Sequence, residues 1–309
     1  MHRFDRFMET ALYHPERGYY TARIKGIGNR GDFTTTPQLS SSLAKAIAQT
    51  FLDSGLTHLI EVGPGTGTLA ATVRKHLPIL ARMRTRQHLV EVSPFLRTQQ
   101  VSANPKAQHH HSLAEALAQA KGKAFIYSNE LVDAFPVRIF RKEKQGFSEL
   151  FLERTQGHLQ EHFLPADELP DSLLFQQNLP SGQRIEVHQS YHHWLEQNLA
   201  PFVEGQILTI DYTLPQPLPL TGTLRGYFLQ SRLTGGNIYQ NAGHIDLTAD
   251  VFFEDLKHWG QQLGLRSISL TSQADFLSPH TDDSTQDQFL TDPEGAGTAF
   301  QVLLQEKKI

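Results

Sequence analysis

The segment Glu61-Val62-Gly63-Pro64-Gly65-Thr66-Gly67 places an acid directly ahead of three alternating glycines. Glycines let the backbone turn tightly and leave room where a Cβ would stand, and a helix that follows offers unpaired N–H groups in its first turn. Such a turn suits several nucleotide ligands, so its spacing has to discriminate among them. A dinucleotide fingerprint needs a glycine at the sixth place, which is Thr68 here, and Gly67 comes one residue early. No Gly-Lys-Ser/Thr follows, which excludes a P-loop for nucleoside triphosphates. Glu91 stands 28 residues after Gly63, where a carboxylate closing a second strand can accept both hydroxyl hydrogens of a ribose. Asn129, Glu130 and Asp133 then follow a fourth strand, the crevice edge at which open α/β sheets bind ligands.

These residues need elements to hold them. Thr57 to Val62 reads as a buried strand, the glycines as a turn and Thr68 to Leu77 as a helix. A second strand at His88 to Val92 is followed by Ser93-Pro94, a cap and first-turn residue for another helix. Ala107 to His111 is a weak third strand, Ser112 to Ala120 a helix and Ala124 to Ser128 a fourth strand. This alternation predicts an α/β fold with a doubly wound, mostly parallel sheet. After Pro136 the segments Val137 to Arg141, Ser148 to Glu153 and His158 to Phe163 read as antiparallel strands of an inserted sheet. Ser190 to Asn198 is helical, Gln206 to Tyr212 returns to the main sheet, and the proline-marked stretch Thr213 to Gly243 reads as an irregular lid. An amphipathic helix from Thr248 to Leu263 and strands at Arg266 to Leu270 and Thr298 to Gln305 finish the chain. The organisation expected is an N-terminal helical flap region (1–56), a Rossmann-like nucleotide-binding core (57–135), an inserted antiparallel substrate or cap region (136–205), a core strand (206–212), a lid (213–247) and the completion of the core (248–309).

Composition narrows the partners. The 309 residues, 39% of them hydrophobic and 19% charged, suit a globular chain with a sizeable core. Lys and Arg number 28 against 32 Asp and Glu, a net charge of −4 that lacks the positive excess used on phosphate backbones, so no nucleic-acid partner is expected. The absence of cysteine excludes disulfides, thiolate nucleophiles and Cys-ligated metal. No apolar run reaches the roughly 18 residues of a membrane span, and Met1 to Thr10 lacks the apolar middle of a secretory signal. A cytoplasmic protein without a membrane partner is the expectation. His109, His110 and His111 alternate across a strand, and His188, His192 and His193 read as a polar helix face, so no metal site is expected. Asp211 and Tyr212 close the fifth core strand at the same crevice edge.

The acid followed by G-x-G-x-G resembles the first motif of class I S-adenosylmethionine-dependent methyltransferases, whose ligand carries an amino-acid end and a sulfonium. An acid such as Glu61 is tolerable beside that ligand where a polyphosphate would be repelled. Four further segments look like the MidA family: Ala11-Leu12-Tyr13-His14-Pro15-Glu16-Arg17-Gly18-Tyr19-Tyr20, Gly31-Asp32-Phe33-Thr34-Thr35-Thr36-Pro37, Val90-Glu91-Val92-Ser93-Pro94 with Leu96-Arg97, and Asn129-Glu130-Leu131-Val132-Asp133-Ala134-Phe135-Pro136-Val137. That family includes a mitochondrial complex I assembly factor that methylates a protein arginine. Gly222 to Tyr227, Asp246 to Ala249, Leu290 to Pro293 and Gly297-Thr298 extend the likeness over nearly the whole chain. The resemblance implies a seven-stranded methyltransferase sheet, S-adenosyl-L-methionine as cofactor and a protein substrate methylated at arginine. With that cofactor, Glu61, Gly63, Pro64, Gly65, Gly67 and Glu91 would hold it, Asn129 would meet its amino-acid end or an acceptor, and Ser112 and Leu113, just beyond the third strand, would touch its adenine. For a guanidinium acceptor, Glu130 and Asp133, just past the fourth strand, are the candidate carboxylates to bind its charge, on one face if their turn is helical. Gly31, Asp32, Thr34 and Thr36 would form a flap over the cofactor. Departures from the family pattern fall at Gln38, Thr66, Leu131 and Val132. The start of the chain close to the family's first shared helix suggests a bacterial-type member. A small-molecule O- or N-methyltransferase, with His188, His192 or His244 as base, and a catalytically silent assembly factor are the alternative readings.

Overall fold

The computed structural model describes residues 1–24, 41–228, 231–282 and 284–308. Gly31, Asp32, Thr34, Thr36 and Gln38 lie outside the described residues. The chain forms two compact units, each assembled from three stretches of sequence: residues 1–25, 132–194 and 213–256 make the first, and residues 26–131, 195–212 and 257–309 the second.

The second unit carries the glycine turn. Its sheet has seven strands: β1 (His58–Val62), β2 (Arg86–Val90), β3 (Gln108–His110), β4 (Lys123–Asn129), β5 (Glu204–Tyr212), β6 (Arg266–Ser272) and β7 (Phe300–Lys307). Their spatial order is β6-β7-β5-β4-β1-β2-β3. The strands from β1 to β5 pair in parallel, and β7 runs antiparallel between β5 and β6. The α/β fold with a mostly parallel sheet is therefore as the sequence alternation implies. Helices of this unit include α1 (Ser42–Asp53), α2 (Thr68–His76), α3 (Ile79–Arg84), α4 (Pro94–Ala103) and α5 (Leu113–Gln119). On α1 the apolar residues Leu43, Ile47 and Phe51 repeat one turn apart, and they bury against Leu59, Phe125 and Ile210 of the sheet. Phe51 meets Phe125 edge to face with ring centroids 5.9 Å apart, a favourable arrangement for two aromatic quadrupoles. Across the other flank, His58, His88 and His110 from three adjacent parallel strands form a hydrogen-bonded chain, with Nδ1 to Nε2 distances of 2.9 and 3.0 Å.

The first unit is antiparallel. Strands Phe147–Thr155 and His158–Pro165 form a hairpin closed by Gln156-Gly157, both at positive φ, as a tight two-residue turn demands. Arg138–Lys142, Arg184–Val187 and His2–Arg3 complete this five-stranded sheet around Phe140, Leu174, Ile185 and Val187. Arg138 grips Glu149 through two 2.7 Å hydrogen bonds, a buried charge satisfied by a fork of donors.

The structure departs from the sequence expectations at three places. The stretch read as an irregular lid contains the strands Arg225–Phe228 and Ser231–Leu233 and a helix at Gly236–Gln240. The first of these pairs with Asp246–Thr248, so distant pairing, invisible to local periodicity, orders it. The helix expected from Thr248 begins at Phe253 and ends at Gln262, because Thr248 belongs to a strand and Val251 bridges Thr213. His188 lies before its helix and is buried, not on a polar face; burial pushes its imidazole down to about 4.

Candidate active site

β1 delivers Glu61 to the end of the second unit's sheet, where the residue is 3% exposed. Tyr127, its register partner on β4, donates a 2.8 Å hydrogen bond to Glu61 Oε2. Burial pushes the Glu61 carboxyl up to about 8 against that hydrogen bond, and nearby Glu91 pushes it the same way. The chain then turns through Gly63, Gly65 and Gly67, all at positive φ. At Gly63 the N–H reaches back to the Val90 carbonyl at 3.0 Å, tying the turn to the end of β2. At Gly67, φ is 81° and a Cβ would stand 2.6 Å from Asn104 Nδ2, so both backbone and space call for glycine. Gly67 is also the residue ahead of α2 and gives that helix no side-chain cap. Its first N–H groups are thus left for a ligand.

Glu91 follows β2 and is 7% exposed. Its amide donates to the His110 carbonyl at 3.2 Å, and its Oε1 accepts from the Ser93 N–H at 2.8 Å. Ser93 caps α4 by accepting from the Leu96 N–H, and Pro94 occupies the first turn, as the sequence implies. Burial pushes the Glu91 carboxyl up to about 7, against the hydrogen bonds from Ser93 and Gln100.

Two residues, Gln100 on α4 and Asn104 just after it, escaped the sequence reading. Gln100 Nε2 donates to the Gly65 carbonyl at 2.6 Å and to Glu91 Oε2 at 3.3 Å. One turn later, Asn104 Nδ2 donates to the Gly67 carbonyl at 2.8 Å. Both side chains are buried, and each keeps its amide oxygen without a hydrogen-bond partner. The only trace of them in sequence is a pair of amides four residues apart on the helix after Glu91-Ser93-Pro94. Tyr127 escaped too, since in sequence it looks like a core aromatic of β4.

At the end of β4, the Asn129 Nδ2 donates to Glu130 Oε1 at 3.0 Å, while Asn129 Oδ1 is buried without a partner. Glu130 adopts φ 52°, a left-handed backbone rare outside glycine, and its N–H donates to the Ile210 carbonyl at 3.0 Å. Glu61, Gly63, Pro64, Gly65, Gly67 and Glu91 therefore gather at the same edge of the sheet that β4 ends on with Asn129 and Glu130. Ser112 caps α5 by accepting from the Glu115 N–H at 3.2 Å, and Leu113 behind it is 1% exposed.

The shared helical face expected for Glu130 and Asp133 is not formed. Glu130 is left-handed and precedes the short 3-10 turn Val132–Ala134, and Asp133 belongs to the first unit. Asp133 is buried, and its carbonyl accepts from the Ala249 N–H. Asp211 is fully buried; its Oδ2 accepts from the Leu131 N–H at 3.0 Å and its Oδ1 from the Tyr212 N–H, so it pins backbone at the ends of β4 and β5. Among the described residues no group of three or more His, Cys, Asp or Glu could hold a metal ion.

Residues 42–271 match the family model described as "Putative S-adenosyl-L-methionine-dependent methyltransferase". The mitochondrial protein arginine methyltransferase NDUFAF7 of Rattus norvegicus is 27% identical over 88% of this chain and 69% of its own length. Its Mus musculus counterpart is 26% identical over 96% of this chain and 74% of its own. Among solved structures, a Burkholderia thailandensis superfamily member described as a "likely methyl transferase", bound to S-adenosyl-homocysteine, superposes with a TM-score of 0.83 at 25% identity. It covers 99% of this chain and 87% of that one. The MidA resemblance and the cofactor it implies are thereby borne out. The cytoplasmic expectation is overturned, since these curated relatives are named as mitochondrial proteins. The chain belongs to this family of S-adenosyl-L-methionine-dependent methyltransferases.

Proposed function

We propose that the chain transfers a methyl group to an arginine nitrogen of a protein substrate, with Glu130 as the carboxylate that receives the guanidinium. The observation that carries this reading is the left-handed backbone of Glu130, held by Asn129 and by the Ile210 carbonyl at the edge where the glycine turn and Glu91 converge. A non-glycine residue in that conformation costs about 1–3 kcal/mol, strain that clusters where a side chain must be aimed. The curated relatives named as protein arginine methyltransferases support the acceptor class.

The residues present fit S-adenosyl-L-methionine. Glu91 offers a carboxylate to the ribose hydroxyls. Glu61, the uncapped start of α2 and the buried Asn129 Oδ1 offer groups of both polarities to an amino-acid end. Pro64, Gly65 and Gly67 would line the turn, and Ser112 and Leu113 the adenine side. When bound, the cofactor supplies an activated methyl group. This chain supplies position: a carboxylate pairing with two guanidinium N–H groups holds the acceptor's charge on the nitrogens it grips and orients the remaining one. Asp133 stays in the proposal as the second carboxylate on its place in the sequence alone.

Incubating the chain with methyl-labelled S-adenosylmethionine and a cell lysate, then hydrolysing labelled protein bands, should yield methylarginine. Glu130→Gln should keep the thermal stabilisation by S-adenosylhomocysteine and lose transfer by about a hundredfold or more. Label confined to small metabolites, or to protein residues other than arginine, would contradict the acceptor assignment.

A further inference from the structure

Between Glu61 and Glu91 the sequence contains no acidic residue, yet residues 74–86 hold five cations, Arg74, Lys75, Arg82, Arg84 and Arg86. In a chain of net charge −4 this is a local reversal of sign. None of the five takes part in an ion pair among the described residues. In the middle of this segment sits α3, six residues long with no buried residue of its own. Its Ile79, Leu80 and Met83 are 74%, 72% and 79% exposed, more than any other large apolar side chain among the described residues. Met83 lies four residues after Ile79 and three after Leu80, so the three share one face.

The helix is held in place from behind. The Arg82 guanidinium donates to the Lys75 and Leu77 carbonyls at 2.8 and 2.9 Å, the Arg74 guanidinium donates to the Arg82 carbonyl at 3.2 Å, and Leu77 is buried. Two arginines thus fix the loop from inside, while Lys75, Arg84 and Arg86 remain exposed around the apolar face. α3 precedes the first residue of β2, and Glu91 follows the last. Five residue steps along a strand separate the two by about 16 Å, so the patch and the glycine turn occupy opposite edges of this sheet.

We propose that the apolar tip of α3 and its surrounding cations form a peripheral docking site for an anionic phospholipid surface. Exposed aliphatic side chains gain by entering the headgroup boundary, and nearby cations gain from its negative potential; the two signals together give reversible attachment. Nucleic acid would use the cations but leave Ile79, Leu80 and Met83 in water. A second copy of the chain, meeting it patch to patch, would set Lys75, Arg84 and Arg86 against their counterparts, a repulsive pairing. The expectation of no membrane partner rested on the lack of a span. No described helix is long and apolar enough to cross a membrane, and a surface contact requires none.

The test is sedimentation of the full chain with vesicles of phosphatidylcholine alone and of equal parts phosphatidylcholine and phosphatidylglycerol. Binding is expected to the second and not the first, and to weaken as salt rises. Joint Ile79→Ser, Leu80→Ser and Met83→Ser substitution should weaken it about tenfold or more. Lys75→Gln, Arg84→Gln and Arg86→Gln should weaken it about fivefold per cation removed. An unchanged melting temperature and unchanged stabilisation by S-adenosylhomocysteine would show that each variant is folded. Failure of the native chain to bind the anionic vesicles overturns the proposal. So does equal binding by the serine variant, or polyglutamate binding as tight as vesicle binding, since either outcome would mark a surface that reads charge alone. None of these results bears on the acceptor proposed above.

Discussion

Gln100 joins the glycine turn to Glu91 through one amide, donating to Gly65 and Glu91 from a fully buried position. Gln100→Leu should therefore weaken S-adenosylhomocysteine binding, read by titration calorimetry, about tenfold to a hundredfold, as losing a hydrogen bond to a charged group does. The two buried acids make a separate, pH-dependent claim. Glu61 and Glu91, pushed up to about 8 and about 7, hold protons that an unfolded chain releases near 4.5. Their contribution to the stability of the ligand-free chain is whole below about 4.5 and is lost as pH rises through 7 and 8. Ligand groups that favour the ionised carboxylates reverse this, so affinity for S-adenosylhomocysteine should climb over the same interval, with proton release on binding. An affinity flat across that interval would contradict the assignment of both acids. The placement of Glu61, the glycines and Glu91 at one end of the sheet was legible in sequence, because strand periods and glycine spacing alone express it. Gln100 and Asn104 were not, because an amide pair on a helix looks the same whether it faces water or a turn.

At the scale of elements, strands β1, β2 and β3 carry a device that sequence shows only as scattered histidines. His58, His88 and His110 donate and accept in series across three strands, and the last of them shares its backbone with the acid, through the Glu91 N–H to the His110 carbonyl. Burial pushes His88 down to about 4, with His110 and His58 adding to it. Stability from His88 is thus present above about 6.5 and is lost as pH falls through about 4. His88→Leu leaves the rings on either side without a partner, which should cost about 1–3 kcal/mol at neutral pH in urea unfolding. It should also flatten the acid side of the stability profile. Gly67→Ala should cost a similar amount, because the left-handed backbone and Asn104 both oppose a Cβ. The βαβ elements were readable from their periods, down to the Ser93-Pro94 cap. The strands Arg225–Phe228 and Ser231–Leu233 were not, since four and three residues carry too little alternation and their pairing is distant.

At the scale of the whole molecule, alternating strands and helices pointed to the parallel part of the sheet. The resemblance implied seven strands, but the insertion of β7 antiparallel between β5 and β6 depends on contacts far apart in sequence and was not read from it. The division into two units, each gathered from three stretches of chain, has no local signature, because the boundaries at Leu131 and Val132 and at Trp194 and Leu195 interrupt no composition and the second falls within a helix. The proposed methyl transfer requires that the glycine turn and Glu91 hold the methyl donor. Equilibrium dialysis of labelled S-adenosylmethionine against the full chain and its Glu91→Ala variant tests this most directly. The account expects saturable binding by the native chain and a loss of about a hundredfold in the variant; no binding by the native chain, or equal binding by the two, would contradict it.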